Sequence, residues 1–159
     1  MAIPETVAEL IGKPLAKPQI WEVERGAIRR FADAVDDANP LHRNVEYSKN
    51  SKYGEMTAPV GFYGWPIKGG GDMEILGKMM GTLMKAGYPI ILDGGIEYEP
   101  FVPIRAGDIL CAYTTVTDIS EKTIGSGKGM LLLTLVTDLL NQNGDKALTV
   151  RRTAICREL

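Results

Sequence analysis

Residues 37–42, Asp-Ala-Asn-Pro-Leu-His, combine the two side-chain types best suited to moving a proton. Asp37 lies near the expected end of a helix, and His42 follows five residues later across a turn that Pro40 stiffens. Such a turn can direct the carboxylate and the imidazole towards one water, and an imidazole exchanges protons near neutral pH. The segment therefore indicates a general acid–base pair, with Asp36 as a neighbouring candidate for the carboxylate.

The same segment also fits a purely structural interpretation. An Asn before a proline commonly ends a helix, because Asn bonds to nearby backbone and the proline disfavours helical geometry in the residue before it. A lone histidine in a loop, such as His42, is usually exposed and has no special role. On spacing alone, this structural interpretation is the commoner of the two.

An amphipathic helix should carry the first of these residues. Apolar side chains recur at helical spacing after residue 25 and polar side chains fill the opposite face, which predicts a helix over residues 25–38. The apolar positions are Ile28, Phe31, Ala32 and Val35. The pair Asn39-Pro40 should end this helix, and a loop is expected over residues 41–57.

A second, longer helix is predicted within residues 62–85. Its apolar positions cover a wide arc, so we expect it to be buried on most sides. The glycines at 69–71 each cost a helix about 1 kcal/mol relative to alanine. The helix therefore either starts after them or packs there against a close neighbour. Residues 87–89, Gly-Tyr-Pro, should end it.

The other segments predict strands, beginning with a short one at residues 21–23. The later strands are expected near residues 96–101, 108–118, 130–141 and 147–157. Residues 130–141 are apolar on both faces, as in a central strand, and Asn143-Gly144 predicts a tight hairpin with positive φ at both residues. The order suggests an α+β protein in which one antiparallel sheet, built as a meander, surrounds the long helix.

Composition narrows the possible functions. A length of 159 residues, 45% of them hydrophobic, fits a single globular domain, and a net charge of -2 gives no reason to expect a nucleic-acid partner. The sequence predicts neither a signal peptide nor a membrane helix, so a cytoplasmic location is expected. Cys111 and Cys156 match no metal-ligand spacing, and one histidine excludes a site with several imidazoles. We therefore expect no metal and no cofactor.

Several segments together resemble one family. Residues 37–42 resemble the Asp-x-Asn-Pro-x-His signature of the MaoC-like dehydratases, which include the (R)-specific enoyl-CoA hydratases. Residues 58–62 resemble the segment that opens the central helix of that family, and residues 98–108 resemble its later strand and turn. Residues 11–14 and 21–25 resemble the opening segments of a subgroup of bacterial dehydratases, which is related to one domain of type I fatty acid synthases. The resemblance implies one hot-dog domain over residues 1–159, with its antiparallel sheet wrapped around a long central helix.

The resemblance also implies roles for particular residues. The catalytic pair of the family falls on Asp37 and His42, and Asn39 would shape the turn between them. A backbone amide near Gly61 or Phe62 would hold the thioester carbonyl at the start of the central helix. A helix start suits that role, because its free N–H groups and dipole favour developing negative charge.

The activity that the resemblance implies is reversible hydration of a 2-enoyl thioester, or dehydration of the (R)-3-hydroxyacyl thioester, carried on coenzyme A or acyl carrier protein. Such domains usually pair, as homodimers or heteromers. Two alternatives stay open. A thioesterase on the same fold would use a carboxylate of the central helix, Asp72 or Glu74. A non-catalytic subunit of a heteromeric dehydratase is also possible, although inactive partners usually lose the histidine that is present here as His42.

Overall fold

The computed structural model describes residues 3–62, 71–123 and 129–159. Long alternating apolar segments form one antiparallel sheet, in which the five strands found among these residues are arranged in the order β1-β3-β4-β5-β2. The strands are β1 (Gln19–Glu22), β2 (Ile90–Pro100), β3 (Ile109–Thr123), β4 (Gly129–Leu140) and β5 (Lys146–Arg157). The sheet confirms the expected α+β class.

Strand β4 lies in the middle of the sheet, as its two apolar faces predicted. Strands β3, β4 and β5 are neighbours in sequence and in space, but β2 pairs with β5 and not with β3. The prediction of a simple meander is therefore wrong for β2. The chain crosses from β2 to β3 through residues 101–108, and this leaves β2 at one edge of the sheet.

One helix of 15 residues, α4 (Gly71–Lys85), packs against the sheet. Its buried side chains Ile75, Met79 and Leu83 are four residues apart and share a core cluster with β4 residues. The expectation of burial on most sides is wrong, because Met73 and Met84 are 60% and 56% exposed. The sheet covers only one face of this helix. Of the glycines at 69–71, the first two lie outside the described residues.

A second core cluster surrounds the helix α2 (Arg25–Ala34) at the other end of the sheet. Ala27, Ile28 and Ala32 form its buried face. Val35 was expected on that face, but it is 53% exposed because the helix has already ended. A short helix, α1 (Glu5–Ala8), precedes β1.

The segment expected to be a loop over residues 41–57 contains two short helices. A 3₁₀ helix spans Pro40–His42, and α3 spans Val45–Lys49. Each starts at an Asn: the side chain of Asn39 accepts a hydrogen bond from the amide two residues on, and that of Asn44 from the amide three residues on, both at 3.0 Å. The capping asparagines explain why two short helices start in this segment.

The turn between β4 and β5 also differs from expectation. Gly144 has a φ of 83°, but Asn143 does not have positive φ, and the turn spans five residues, 141–145. The amide of Gly144 donates to the carbonyl of Asn141. A single left-handed residue is enough here, because the longer turn does not require a type I′ geometry. Among the described residues, no helix is long and apolar enough to cross a membrane.

Candidate active site

The end of helix α2 sets the position of Asp37. The amide of Asp37 donates to the carbonyl of Ala32 at 2.8 Å, and that of Asp36 donates to Asp33 at 3.3 Å. Asp36 has a left-handed backbone, with φ at 53°. This pattern is a Schellman motif, in which a left-handed residue reverses the chain and satisfies the last helical carbonyls. The helix therefore ends four residues before the predicted residue 38, and the chain turns at Asp36.

The structure brings Asp37 and His42 together. Oδ2 of Asp37 lies 3.6 Å from Nε2 of His42. The other carboxylate oxygen, Oδ1, accepts a hydrogen bond from the amide of Asn39 at 2.9 Å. The side chain of Asp37 is 30% exposed and that of His42 is 11% exposed. One carboxylate oxygen thus holds the turn, while the other faces the imidazole.

A backbone carbonyl determines which ring nitrogen of His42 carries a proton. Nδ1 lies 2.6 Å from the carbonyl oxygen of Thr57. Because a carbonyl can only accept, Nδ1 must donate. In the neutral ring, Nε2 then has a free lone pair directed towards Asp37. This is the tautomer that a base at Nε2 needs.

Backbone hydrogen bonds to the segment 104–106 hold Thr57 in place. The amide of Ala58 donates to the carbonyl of Ile104 at 2.8 Å, and the amide of Ala106 donates to Met56 at 2.9 Å. The amide of Thr57 itself donates to Leu41, next to the histidine, at 3.2 Å. Segments 56–58 and 104–106 therefore form one small ladder beneath the imidazole.

An ion pair joins this ladder to the start of helix α2. Arg25 donates to both carboxylate oxygens of Glu55, at 3.1 and 2.5 Å, and Glu55 also accepts the amide of Met56 at 2.7 Å. The hydrogen bond from Arg25, with a further contribution from the Met56 amide, lowers the pKa of Glu55 below its ordinary value. The carboxylate stays ionised at neutral pH and holds the helix against the ladder.

Gly61 and Phe62 are both buried near the pair. The amide of Phe62 donates to the carbonyl of Pro59 at 3.1 Å, whereas that of Gly61 has no hydrogen-bond partner among the described residues. Gly61 has a φ of 96°, and a Cβ there would lie 3.4 Å from the ring of Tyr98. The predicted position at the start of the central helix depends on residues 63–70, which lie outside the described residues.

A cavity of about 390 Å³ opens beside His42. Asn39, Leu41 and His42 form one wall, and residues 57–62 and 100–104 form most of the others. The lining is mainly apolar and includes Phe62, whose ring meets that of Phe31 edge-on with centroids 5.6 Å apart. The cavity can accept an apolar group beside the imidazole.

The remaining candidate residues lie apart from this cavity. Glu74 is exposed on α4 and does not line it, and the side chain of Asp72 lies outside what the structure describes. Burial raises the pKa of the Cys156 thiol to about 11, so this thiol stays protonated. In residues 3–62, 71–123 and 129–159, no group of three or more His, Cys, Asp or Glu side chains is placed to hold a metal ion.

The sequence analysis missed Thr57 and the pair of Arg25 and Glu55. Thr57 acts through its carbonyl, which every residue has, so its side-chain type carries no signal. The ion pair joins residues 30 positions apart, and charged surface residues at such a distance are common in any chain. Only the folded ladder shows that these residues support the imidazole.

Comparisons with known proteins identify the family of this chain. A family model described as "FAS1-like, dehydratase domain region" matches residues 9–150. A UPF0336 protein of Mycolicibacterium paratuberculosis is 39% identical over an alignment of 174 positions that covers 97% of this chain and 94% of the relative.

Two solved structures share the fold. The ChsH1-ChsH2 complex from Mycobacterium tuberculosis superposes with a TM-score of 0.77 at 18% identity, covering 95% of this chain and 88% of the other. The R-hydratase PhaJ1 from Pseudomonas aeruginosa superposes with a TM-score of 0.58 at 17% identity, covering 96% and 86%. The chain therefore belongs to the FAS1-like dehydratase-region family and has the hot-dog fold of the MaoC-like dehydratases.

Proposed function

We propose that this protein reversibly hydrates a 2-enoyl thioester, and that it dehydrates the (R)-3-hydroxyacyl thioester in the reverse direction. The observation that most supports this proposal is the distance of 3.6 Å between Asp37 Oδ2 and His42 Nε2. The imidazole is fixed by a hydrogen bond from its Nδ1 to the Thr57 carbonyl. Two groups able to move a proton thus converge beside an apolar cavity. Membership of a dehydratase family supports the same chemistry.

In the hydration direction, Asp37 and His42 bind one water between them. The pair takes a proton from this water while its oxygen forms a bond to C3 of the enoyl group. The C2–C3 π electrons move towards the thioester, and negative charge develops on its carbonyl oxygen. Return of a proton from the pair to C2 completes the addition, so that no co-reactant other than water is needed.

Gly61 is the better of the two candidate donors for the thioester oxygen. Its amide is free among the described residues, whereas the amide of Phe62 is already bonded to Pro59. Gly61 also lines the same cavity as His42. A fixed N–H directed at a developing oxyanion is worth about 2.7–4 kcal/mol in transition-state stabilisation. In this proposal, Asn39 holds the Asp37 carboxylate through its own amide.

The acyl group occupies the apolar cavity of about 390 Å³, and its carrier is coenzyme A or acyl carrier protein. Both carriers present the thioester on the same pantetheine arm, so one cavity serves either. The chemistry needs neither metal nor organic cofactor, because the thioester itself accepts the C2–C3 π electrons that are displaced when water adds to C3.

The functional unit in this proposal is a pair of hot-dog domains, identical or different. Strand β2 is an edge strand, and its apolar residues Leu92 and Ile96 are 46% and 38% exposed. Unpaired backbone groups beside apolar side chains favour pairing with another domain. The ChsH1-ChsH2 structure supports a heteromer as one form of this pair. Light scattering on the purified protein, alone and with co-expressed partners, measures the state.

The experiment follows loss of the conjugated-thioester absorbance of crotonyl-CoA and of longer or branched enoyl-CoA substrates. We expect loss of absorbance without thiol release, abolished in Asp37→Asn and His42→Ala. Asp36→Asn is the matched control, because it changes the neighbouring carboxylate and should keep activity within about threefold of wild type.

Two other outcomes would reject the proposal. Release of free thiol would indicate a thioesterase, in which Glu74 would have to act away from the cavity beside His42. A folded protein that leaves every substrate unchanged, alone and with its partner, would indicate a subunit without catalysis.

A further inference from the structure

We infer that Arg43 is a positioning residue that holds Asp37 so that its carboxylate faces His42. This inference rests on the proposed function. Nε of Arg43 donates to the carbonyl oxygen of Asp37 at 2.5 Å. Nη1 pairs with the Asp33 carboxylate at 2.8 Å, and Nη2 lies 3.4 Å from the carbonyl oxygen of Ala32. One guanidinium thus spans the end of helix α2 and the residue that carries the carboxylate.

The position of Arg43 in the chain makes these contacts informative. Arg43 directly follows His42, and its amide donates to the carbonyl of Pro40 at 3.2 Å. Its backbone therefore belongs to the turn that carries the imidazole, while its side chain holds the backbone of Asp37. Among the described neighbours in sequence of Asp37 and His42, only Arg43 has a side chain that hydrogen-bonds from the turn of one residue to the backbone of the other.

The chemistry of the guanidinium suits this task. Its donors form a rigid planar fork that can serve several acceptors at once, whereas a lysine offers one point charge. A positive charge at the C-terminal end of a helix is also favourable, because the last carbonyls carry partial negative charge. The side chain of Arg43 is 37% exposed, so one side of it remains in contact with solvent. Arg43 does not line the cavity beside His42, and it acts through Asp37 alone.

Loss of this contact should affect turnover more than substrate binding. Misplacement of a catalytic group by about 1 Å can cost about 100-fold in rate. We expect Arg43→Ala to lower kcat roughly 30- to 100-fold, with KM changed less than about threefold because the cavity wall is untouched. Arg43→Lys should recover part of the loss. Arg29→Ala is the matched control, because Arg29 is an exposed arginine on helix α2, whose end Arg43 contacts. The kcat of Arg29→Ala should stay at the wild-type level.

A second measurement needs no activity. His42 is the only histidine in the chain, so its ring gives one unambiguous set of NMR signals. Arg43→Ala should shift these ring signals more in the wild-type background than in Asp37→Asn, because it displaces a charged carboxylate in the first and a neutral amide in the second. Arg29→Ala should shift them in neither background.

The outcomes separate this inference from the proposed function. An Arg43→Ala protein with kcat within twofold of wild type, or with equal shifts of the His42 signals in both backgrounds, would overturn the inference. If Arg43→Ala does not fold, the same two measurements on Arg43→Lys decide. A wild-type protein without hydratase activity contradicts the proposed function. The NMR comparison would still show whether Arg43 holds Asp37 in position relative to His42.

Discussion

Helices α2 and α4 end in the same backbone motif but serve different purposes. At the end of α2, Asp36 takes the left-handed conformation and the amide of Asp37 returns to Ala32. At the end of α4, Gly87 takes that conformation with a φ of 92°, and the amide of Tyr88 returns to Leu83 at 2.9 Å. The hydrogen bonds match, so the differences lie in the side chains.

The residue after the left-handed position shows the contrast. Tyr88 is 3% exposed and shares a core cluster with Leu83, which is the apolar contact that usually accompanies this motif. Asp37 makes no such contact and instead faces His42. The end of α4 stabilises the fold, whereas the end of α2 gives up apolar packing to present a carboxylate. This difference is consistent with the proposed function, because sites of chemistry commonly depart from the locally stablest choice.

The largest expected effect comes from Asp37→Asn. General acid–base groups contribute about 10²- to 10⁴-fold in rate, and we expect kcat to fall by roughly 1,000-fold. The free energy of unfolding should change by less than about 0.5 kcal/mol, because the amide oxygen of Asn can still accept from Asn39. Enzyme kinetics and urea unfolding measure the two quantities. A loss of several kcal/mol would show that the carboxylate is structural and would break the contrast.

Tyr88→Ala should have the opposite profile. Removing a buried aromatic side chain typically costs about 3–5 kcal/mol, and we expect about 3 kcal/mol from the free energy of unfolding. The kcat of the folded fraction should be unchanged, since Tyr88 does not line the cavity beside His42. Tyr88→Phe keeps the ring and is the matched control. Equal stability of Tyr88→Ala and wild type in urea would show that Tyr88 does not stabilise the fold at the end of α4.

Substitutions at the left-handed positions sharpen the comparison further. Gly87→Ala should lower the free energy of unfolding by about 1 kcal/mol, because a Cβ in this backbone region is strained and no other heavy atom lies within 4 Å of it. In Asp36→Gly, relief of the left-handed conformation and the greater chain entropy of glycine oppose each other. We therefore expect a change below about 0.5 kcal/mol and a kcat within twofold of wild type. A large loss of activity in Asp36→Gly would indicate that the Asp36 carboxylate takes part in the reaction.

The smallest effect is expected at the start of α2, where Arg25 pairs with Glu55. The folded state lowers the pKa of Glu55, so the pair contributes stability above the unfolded pKa and loses it as pH falls through the folded pKa. Both groups are partly exposed, so solvent screening keeps the contribution of this ion pair small. Urea unfolding between pH 3 and pH 7 should show a steeper acid loss in wild type than in Glu55→Gln. Parallel curves would contradict this assignment.

The two helix ends also show what a sequence can predict. The end of α4 was predicted correctly, since a glycine before Tyr-Pro is a direct signal of a left-handed residue. The end of α2 was placed at residue 38, because Asn39-Pro40 is the visible stop and Asp36 carries no comparable signal. Aspartate visits the left-handed region only occasionally, and its neighbours decide when.

The site divides in the same way. The resemblance of residues 37–42 to a family signature, more than their spacing alone, identified Asp37 and His42, which the fold brings within 3.6 Å. Arg43 was missed, although a cation beyond a helix C-terminus is a usable signal. The pairing of β2 with β5 was also missed, because it joins residues about 50–70 positions apart through backbone groups that every residue has.

The hydrogen bonds that close α2 have a consequence for how such proteins diverge. Ala32 and Arg43 bond to the amide and the carbonyl of Asp37, which any residue except proline supplies. A duplicated gene can therefore replace the carboxylate and still encode a domain that folds. Such a copy loses turnover without losing its shape, and it stays available as a scaffold for an active sister chain. In the proposed pair of domains, one domain could then carry the reaction while the other acquires a new specificity.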